Sequence, residues 1–337
     1  MAKKKEERES IQDTLKRLNK VYGEGAIMGL NDKCADNYDV ISTGSIGLDY
    51  GVLGVGGIVK GKLYELMGWE GTGKSTLCGH IAANCQRDGG KVVYIDGEHA
   101  VDKKYFQALG VNIDDMLLAQ PSNGEEGFNI AMEMIKTGEV DLVIIDSDSS
   151  LIPKKVVDGE IGDSAIGRKA MLNSNSYPKL KNRLVESNTA MVVISQFREK
   201  IGVMFGDPRT TQGGHALKFY SDCRMEIAKS LDKEGTEVVG NKTRVKTIKN
   251  KTYPPYHNTE FIIKFGIGID RKTELMGLAN ELGIGRKYGK TYTFKGTKYE
   301  LDEFMEMLND EALFQDIRAQ VVDGLLNGVD IVEEKSE

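Results

Sequence analysis

The sequence is poor in proline and tryptophan and has no long apolar run. Its 337 residues include 6 prolines and 1 tryptophan, and 40% hydrophobic with 28% charged residues is typical of a folded chain. A membrane-spanning helix needs about 20 apolar residues, which no stretch approaches. The start of the sequence also lacks the apolar core of a signal peptide. We therefore expect a cytoplasmic protein that does not enter a membrane.

Neither the cysteines nor the net charge points to a ligand. The 4 cysteines, at positions 34, 78, 85 and 223, lack metal-ligand spacing, and reduced thiols are the favoured interpretation, with Cys78 and Cys85 as buried small hydrophobic residues. With a net charge of -6 the chain as a whole is not basic, so its overall charge does not indicate nucleic-acid binding. Any nucleic-acid site must therefore be local.

The order of apolar runs and helical stretches predicts an α/β fold. Between about residues 40 and 270, continuous apolar runs such as VVYID and LVIID alternate with stretches of helical periodicity. This alternation is typical of a mostly parallel central sheet flanked by helices. Three later apolar runs have no helices between them and suggest an antiparallel extension of the sheet. They are CRMEIAKS, TRVKTIKNK and EFIIKF. An apolar stripe from Ile11 to Val21 predicts an amphipathic helix, which Gly23 and Gly25 end.

Changes in composition divide the chain into four parts. We predict an N-terminal segment at 1–36, a core at 37–270, a small α+β lobe at 271–330 and an acidic tail at 331–337. The lobe combines helices with one hairpin-like stretch, KTYTFKGTKYEL. The amphipathic helix of the N-terminal segment must bury its stripe either on its own core or on a neighbouring subunit.

The stretch GWEGTGKST carries the strongest chemical signal. It matches G-x-x-x-x-G-K-[ST], with a predicted strand before it and a predicted helix after it. Glycines let successive N–H groups surround an anion, Lys74 would reach the β- and γ-phosphates, and Ser75 would bind Mg²⁺. The alternative is a glycine-rich turn that matches by chance. The predicted nucleotide-binding residues of this loop are Gly68, Trp69, Glu70, Gly71, Thr72, Gly73, Lys74, Ser75 and Thr76.

Polar residues at the ends of other apolar strands predict the rest of a nucleotide site. Asp146 ends LVIID and is the expected acid on the Mg²⁺ side, with a capping carboxylate as the alternative. Glu98 follows VVYID and is a candidate to orient and deprotonate an attacking water. Gln196 is either a sensor of the γ-phosphate or an ordinary polar strand end. These residues predict a P-loop NTPase but leave its kind open.

Two stretches mix cations and apolar residues without a clear period. They are DGEIGDSAIGRK at 158–169 and FREKIGVMFGDPRTTQGGH at 197–215. Cations that bind phosphates and apolar side chains that wedge against bases are what a single-stranded nucleic-acid groove needs. Composition alone leaves each stretch open as a binding loop or a mobile surface loop.

Motifs that occur in a fixed order then reveal a family resemblance. They are ISTGSIGLD, GWEGTGKST, YIDGEHAVD, DGEIGDS, REKIGVMFG, TTQGGHALKFY and TRVKTIKNK. With them the chain resembles the bacterial RecA recombinases from about residue 11 to 270, and more loosely to about 330. The resemblance implies a RecA-like core that uses ATP and Mg²⁺ to form helical filaments on single-stranded DNA. It also implies homology search in duplex DNA and strand exchange with DNA-dependent ATP hydrolysis, in DNA repair.

The same resemblance implies partners and leaves alternatives. Repressor and mediator proteins of the DNA-damage response are possible partners of such a filament. A RecA-like hexameric motor or helicase would share the nucleotide site but form closed rings. A filament-forming DNA-binding protein that no longer hydrolyses ATP is the remaining alternative.

The resemblance also assigns roles at the nucleotide. Glu98 would be the catalytic glutamate, and Tyr105 would stack on adenine with Asp102 near the base. Lys249 and Lys251 would reach the γ-phosphate from the next subunit, together with the catalytic groups Lys74 and Gln196. Two cations beside a transferring phosphoryl group stabilise its charge once the neighbour has docked.

Further roles concern DNA and the subunit interface. Phe219 and Lys218 would couple the nucleotide to DNA across the interface, and the first helix would dock on a neighbour. The residues that the resemblance and the loop composition together place at DNA are Ile166, Arg168, Lys169, Ser174, Arg198, Lys200, Ile201, Gly213, Gly214 and His215.

Overall fold

The computed structural model describes residues 9–24, 26–29, 38–160, 167–199 and 208–327. The chain forms two compact units, residues 1–38 and residues 39–337. The described part of the first unit contains the expected amphipathic helix α1 (Ile11–Tyr22), which begins after the Ser10 cap and ends at Gly23. No residue of this helix is buried.

One large sheet forms the centre of the second unit. A short pair, β1 (Val40–Ile41) and β2 (Ile58–Val59), precedes it. The strands of the large sheet are β3 (Leu63–Gly68), β4 (Val92–Asp96), β5 (Leu117–Ala119), β6 (Leu142–Asp146), β7 (Ala190–Glu199), β8 (Arg209–Thr211), β9 (Cys223–Glu234), β10 (Glu237–Asn250), β11 (Asn258–Lys264) and β12 (Gly268–Ile269). Their spatial order is β12-β11-β10-β9-β3-β7-β6-β4-β5, with β8 paired to β7.

The sheet has a parallel and an antiparallel part. Strands β5, β4, β6, β7, β3 and β9 run parallel, and β10, β11 and β12 extend the sheet from β9, each antiparallel to the strand before it. On β6, Leu142 and Ile144 belong to one apolar cluster, while Val143 and Ile145 belong to another on the opposite face. Because both faces are buried, such a strand is a continuous apolar run, and the predicted mostly parallel sheet is confirmed.

Helices cover both faces of this sheet. They are α2 (Lys74–Arg87), α3 (Lys103–Ala108), α4 (Gly124–Lys136), α5 (Lys154–Val157), α6 (Arg168–Ser187) and α7 (Ala216–Tyr220), with a π-helix at Gly47–Val52 and a 3₁₀ turn at Asp148–Ser150. Leu77 of α2 packs in one cluster, whereas Phe128 of α4 and Leu180 of α6 pack in the other. Within the ranges given above, no helix is long and apolar enough to cross a membrane.

A small α+β lobe follows the large sheet. It consists of α8 (Arg271–Glu281), β13 (Gly285–Tyr288), β14 (Thr291–Phe294), β15 (Thr297–Glu300), α9 (Leu301–Met307) and α10 (Glu311–Asn327). Its apolar cluster contains Phe304, whose ring stacks on Tyr292 with centroids 4.5 Å apart. Ile46, from the predicted core, joins the same cluster. The lobe's composition of helices and a small sheet agrees with the prediction, whereas the division at residues 270 and 271 stays a prediction.

Two element ends differ from the sequence-based expectation. Strand β7 continues to Glu199, beyond Gln196, and α6 begins at Arg168, inside the stretch at 158–169 that shows no clear period. The buried face of α6 carries the polar Asn173, and Pro178 lies inside the helix. A polar buried position and an internal proline both hide the apolar periodicity by which helices are recognised.

A buried carboxylate ties the loop before the π-helix to α8. Glu274 is 4% exposed and accepts hydrogen bonds from Ser45 Oγ (2.5 Å) and the N–H groups of Gly47 (3.1 Å) and Ile46 (3.3 Å). Burial raises the pKa of Glu274 from 4.5 to about 7, against the effect of these hydrogen bonds. The group therefore links stability to pH.

We expect Glu274→Gln to flatten the pH dependence of the free energy of unfolding. The folded-state pKa lies above the unfolded one, so this group's favourable contribution is complete below about pH 4.5 and is lost by about pH 7. The loss is on the order of 3 kcal/mol, at about 1.4 kcal/mol for each pH unit of difference. Urea unfolding at a series of pH values measures it. The exposed Glu281→Gln, on the same helix, is the control, and an unchanged slope in Glu274→Gln would refute the linkage.

Candidate nucleotide site and its links to the predicted DNA-binding segments

The glycine-rich loop joins the end of β3 to the start of α2. Gly71 (φ 66°) and Gly73 (φ 90°) have left-handed backbones, which larger residues rarely adopt. A Cβ at Gly68 would come within 2.6 Å of Ile227. The loop leads into the amino end of α2, where N–H groups and the helix dipole favour an anion. This backbone fits a bound phosphate.

Lys74 lies inside this loop. It is 7% exposed, and its Nζ donates hydrogen bonds to the carbonyls of Trp69 (2.6 Å) and Gly68 (3.2 Å). Burial lowers the pKa of Lys74, while the nearby charges of Asp146 and Glu98 oppose the change. Neutral carbonyls are weaker partners for an ammonium group than an anion is, so a phosphate entering the loop would gain Lys74 as a ligand.

Asp146 ends β6 beside Ser75 of the loop. Burial raises the pKa of Asp146, and hydrogen bonds with Ser75 and Tyr94 act against the rise. Tyr94 Oη donates to Asp146 Oδ2 over 2.6 Å. A hydroxyl and a carboxylate beside a phosphate loop are suitable ligands for Mg²⁺. The sequence analysis gave Tyr94 no role, although a hydroxyl in a buried apolar strand signals a polar partner.

The structure brings Glu98 and Gln196 together. Gln196 Nε2 donates to Glu98 Oε1 over 2.7 Å, and Ser147 Oγ donates to the same oxygen over 2.6 Å. Among the described residues no hydrogen bond to Glu98 Oε2 is found, which leaves this oxygen available to a water. The sequence analysis did not identify Ser147, because only the fold shows that this residue faces Glu98 across the end of the sheet.

Tyr105 and Asp102 lie beside the loop on the next helix. Tyr105 Oη and Thr76 Oγ1 are 2.8 Å apart, so the aromatic ring is attached to the start of α2. Asp102 caps α3 by accepting the N–H groups of Lys104 and Tyr105. The cap explains the position of Tyr105, and the predicted contacts of both residues with the base stay predictions.

Trp69 offers a direct probe of the loop. It is the only tryptophan, is 42% exposed, and meets the ring of Phe197 edge-on with centroids 5.8 Å apart. Phe197 directly follows Gln196 on β7. The glycine-rich loop therefore contacts the strand that enters the predicted DNA-binding segment at 197–215.

We expect Lys74→Ala to weaken ATP binding by roughly 10- to 100-fold, the loss expected for a hydrogen bond to a charged group. Titration of ATP against the emission of Trp69 measures the affinity. Lys91→Ala is the matched control, because Lys91 is an exposed lysine that pairs with Glu139. Equal affinities for ATP in Lys74→Ala and the control would refute the role of Lys74 in the loop.

The residues predicted to contact DNA fall into three groups. Ile166, Lys200 and Ile201 lie outside the described residues. The exposed ones are Ser174, Arg198, Gly214 and His215, whereas Arg168 is half-buried and its Nη1 donates to the carbonyl of Lys155 over 2.9 Å. Gly213 is half-buried, and the Lys169 ammonium points inward to Asp148 Oδ1 (3.4 Å). A contact between Lys169 and DNA stays a prediction that would require this ion pair to open.

Lys249 and Lys251 lie at the end of β10, away from the glycine-rich loop of the same chain. Lys249 is in register with Arg224 of β9, which pairs with Glu65 of β3. Three residues separate Glu65 from the end of β3, which is about 10 Å along a strand, and the loop lies beyond that end. The two lysines are therefore at the opposite edge of the sheet from this loop.

Both lysines have partners at that edge. Lys249 Nζ donates to the carbonyls of Lys218 and Phe219, each over 3.0 Å, at the end of α7. Lys251 Nζ lies 3.2 Å from Asp222 Oδ1. Phe219 is 69% exposed, so α7 presents an aromatic side chain beside the lysine pair.

Comparisons with known proteins agree with this geometry. Residues 9–270 match the RecA N-terminal domain family. The chain is similar to Protein RecA of Chloroherpeton thalassium, with 43% identity over 95% of this chain and 94% of that protein. It is also similar to Protein RecA of Streptomyces venezuelae (44% identity, 85% of this chain, 76% of that protein) and of Bacillus thuringiensis (44%, 85%, 83%). The chain belongs to the RecA family.

Proposed function

We propose that this chain is an ATP-dependent recombinase. It assembles as a helical filament on single-stranded DNA, searches duplex DNA for homology and exchanges strands. The observation that carries the proposal is the hydrogen bond from Gln196 to Glu98 (2.7 Å). Gln196 lies on the strand that enters the segment at 197–215, so one contact joins the group expected to activate water to the segment expected to hold DNA.

The nucleotide is ATP with Mg²⁺, whose phosphoanhydride bond supplies the free energy of the cycle. Lys74 and the loop N–H groups bind its phosphates, and Ser75 with Asp146 holds the metal. Glu98 orients the attacking water and takes its proton through Oε2, while Gln196 fixes the other carboxylate oxygen. Water activation by such a positioned carboxylate contributes about 10²- to 10⁴-fold to a rate.

Single-stranded DNA binds along the segments at 158–169 and 197–215. The exposed Arg198, the half-buried Arg168 and the glycine backbone at 213–214 suit phosphates. Backbone donors and apolar wedges read no base edges, so we expect binding with little sequence preference. Exposed cations of the small sheet, including Lys287, Lys290 and Lys298, suit duplex DNA.

The filament is built from copies of this chain. The lysine pair lies at the opposite edge of the sheet from its own phosphate loop, so Lys249 and Lys251 serve the loop of a neighbour. Phe219 on the same edge packs on that neighbour, and the apolar stripe of α1 docks on another copy. Repressor and mediator proteins of the damage response stay predictions from the family resemblance.

ATP hydrolysis measured with and without single-stranded DNA, over a range of protein concentrations, tests this function. A filament whose active sites form between subunits gives turnover that rises with DNA and cooperatively with concentration. Hydrolysis indifferent to both would overturn the proposal. Electron microscopy of the same samples separates open filaments from the closed rings of a hexameric motor, the alternative that neither the paired lysines nor the family membership favours.

A further inference from the structure

Three consecutive residues at the end of β6 contact three different parts of the molecule. Asp146 bonds with Tyr94, beside the phosphate loop. Ser147 Oγ donates to Glu98 Oε1. Asp148, which begins the 3₁₀ turn, directs its carboxylate to α6. Because the three residues are consecutive, a displacement of the backbone at one of them is transmitted to the next through a single planar peptide bond.

The carboxylate of Asp148 is buried, and three side chains of α6 are its partners. It is 1% exposed and accepts hydrogen bonds from Tyr177 Oη (2.6 Å, to Oδ1) and Asn173 Nδ2 (3.1 Å, to Oδ2). Lys169 Nζ lies 3.4 Å from Oδ1. The three partners recur every four residues, so they form one stripe along the helix. A buried charge is tolerated only with partners of this kind, and their loss would be costly.

The partners of Asp148 are themselves held in the protein interior. Burial raises the pKa of Tyr177 far above its usual range, with the charge of Asp148 adding to the rise, so the phenol remains a donor. Its ring packs edge-on against Phe128 of α4, with centroids 5.3 Å apart. Lys169 Nζ also donates to the carbonyl of Leu151 (2.7 Å), just after the 3₁₀ turn. Both ends of the stripe, Lys169 and Tyr177, are thus held by contacts outside α6.

The same cluster contacts the segment at 208–215. Asn173 Nδ2 donates to the carbonyl of Gly213 over 3.3 Å. A Cβ at Gly213 would lie 2.1 Å from Asn173 Nδ2 and 3.0 Å from Asp148 Oδ2, and one at Gly214 would lie 2.9 Å from Ala170 Cβ. The close approach of this backbone therefore depends on the two glycines. The predicted segment at 158–169 ends with Lys169 in the first turn of α6, so both predicted DNA-binding segments end on this cluster.

We propose that Asp148 is a positioning residue that makes ATP hydrolysis respond to DNA. The inference rests on the proposed function, because it assumes that DNA binds along the two segments. DNA that shifts α6 or Gly213 moves the carboxylate of Asp148, and through one peptide bond it moves Ser147. Ser147 holds Glu98, so the catalytic carboxylate takes its working position when DNA is bound. Asp148 itself touches neither DNA nor nucleotide.

The test is ATP turnover of the full-length Asp148→Asn protein, titrated with single-stranded DNA. This substitution keeps the shape of the side chain but removes the charge that pairs with Lys169 and one acceptor oxygen. We expect the DNA-stimulated rate to fall by about tenfold or more, within the usual range of coupling between two sites. We expect turnover without DNA, and the DNA concentration that gives half-maximal stimulation, to stay close to the wild-type values.

A second variant guards against a protein that fails to fold. Tyr177→Phe removes one hydrogen bond to the carboxylate and keeps the ring against Phe128, so it should reduce the DNA-stimulated rate in the same way but less. Asp302→Asn, an exposed position on α9, is the control for the loss of a charge. Thermal unfolding of each protein reports on folding independently of turnover.

The outcomes separate the possible explanations. Full DNA stimulation in both Asp148→Asn and Tyr177→Phe would overturn the inference. A proportional fall of basal and stimulated rates, together with a lower unfolding temperature, would show a structural role alone and would also overturn it. Wild-type protein without DNA-stimulated turnover would instead overturn the proposed function on which the inference rests.

Discussion

Glu98→Gln should lose ATP turnover by about 10²- to 10⁴-fold, the usual contribution of a positioned general base. Gln196 and Ser147 both donate to Oε1 of Glu98. A glutamine can place its own carbonyl oxygen on these donors, so its shape and position are preserved. Its amide nitrogen replaces Oε2 and cannot take a proton from water. Steady-state hydrolysis in the presence of single-stranded DNA measures the loss.

The same variant should still form filaments with ATP. The phosphate loop, Lys74 and the predicted ligands of Mg²⁺ are untouched by the substitution, so ATP-dependent DNA binding is expected to persist and to outlast that of the wild type. Glu133→Gln, an exposed carboxylate paired with Lys136 on α4, is the control. Unchanged turnover in Glu98→Gln would remove this residue from the role of general base.

The parts of the site that the sequence predicts are those that follow from strand ends. Asp146, Glu98 and Gln196 each come at or just after a buried apolar strand, and parallel strands place such residues on one edge of a sheet. The glycine-rich loop is recognised in the same way, because its glycines and lysine have a fixed spacing between a strand and a helix. Neither inference needs knowledge of tertiary contacts.

The parts that sequence analysis missed depend on tertiary contacts. Ser147 and Tyr94 gain their partners only when separate strands are brought side by side. Asp148 is hidden for another reason, since its partners lie on α6, whose polar buried face does not show helical periodicity. The predicted role of Lys169 at DNA illustrates the limit, because composition marks the residue as a cation but does not show that its charge is paired inside the protein.

The position of Lys249 and Lys251 supports assembly between subunits more directly than the sequence does. Lys249 is in register, through Arg224, with Glu65 in the first half of β3, and Lys251 follows the end of β10, while the phosphate loop follows the end of β3. A side chain of lysine length does not bridge the remaining span, which exceeds about 10 Å along the strand alone. With both lysines assigned to the γ-phosphate, as we propose, an isolated subunit would have an incomplete site, and a head-to-tail contact between copies would complete it.

A mixture of two inactive variants should recover activity for this reason. Glu98→Gln keeps both lysines, and a variant with Lys249→Ala and Lys251→Ala keeps Glu98. In a filament assembled at random from equal amounts, about one interface in four combines an intact Glu98 with the lysines of its neighbour. We expect the mixture to reach about a quarter of the wild-type DNA-stimulated rate, although each variant alone is nearly inactive.

The control must separate a missing charge from a damaged fold, because Lys249 also holds the carbonyls at the end of α7. Thermal unfolding of the double-lysine variant, and its mixing with wild-type protein, provide that control. No recovery in a mixture whose members both fold and bind DNA would mean that each chain uses its own lysines, and the assembly of active sites between subunits would have to be abandoned. Recovery would establish that hydrolysis requires a neighbour, because no single chain in the mixture carries a complete set of catalytic groups.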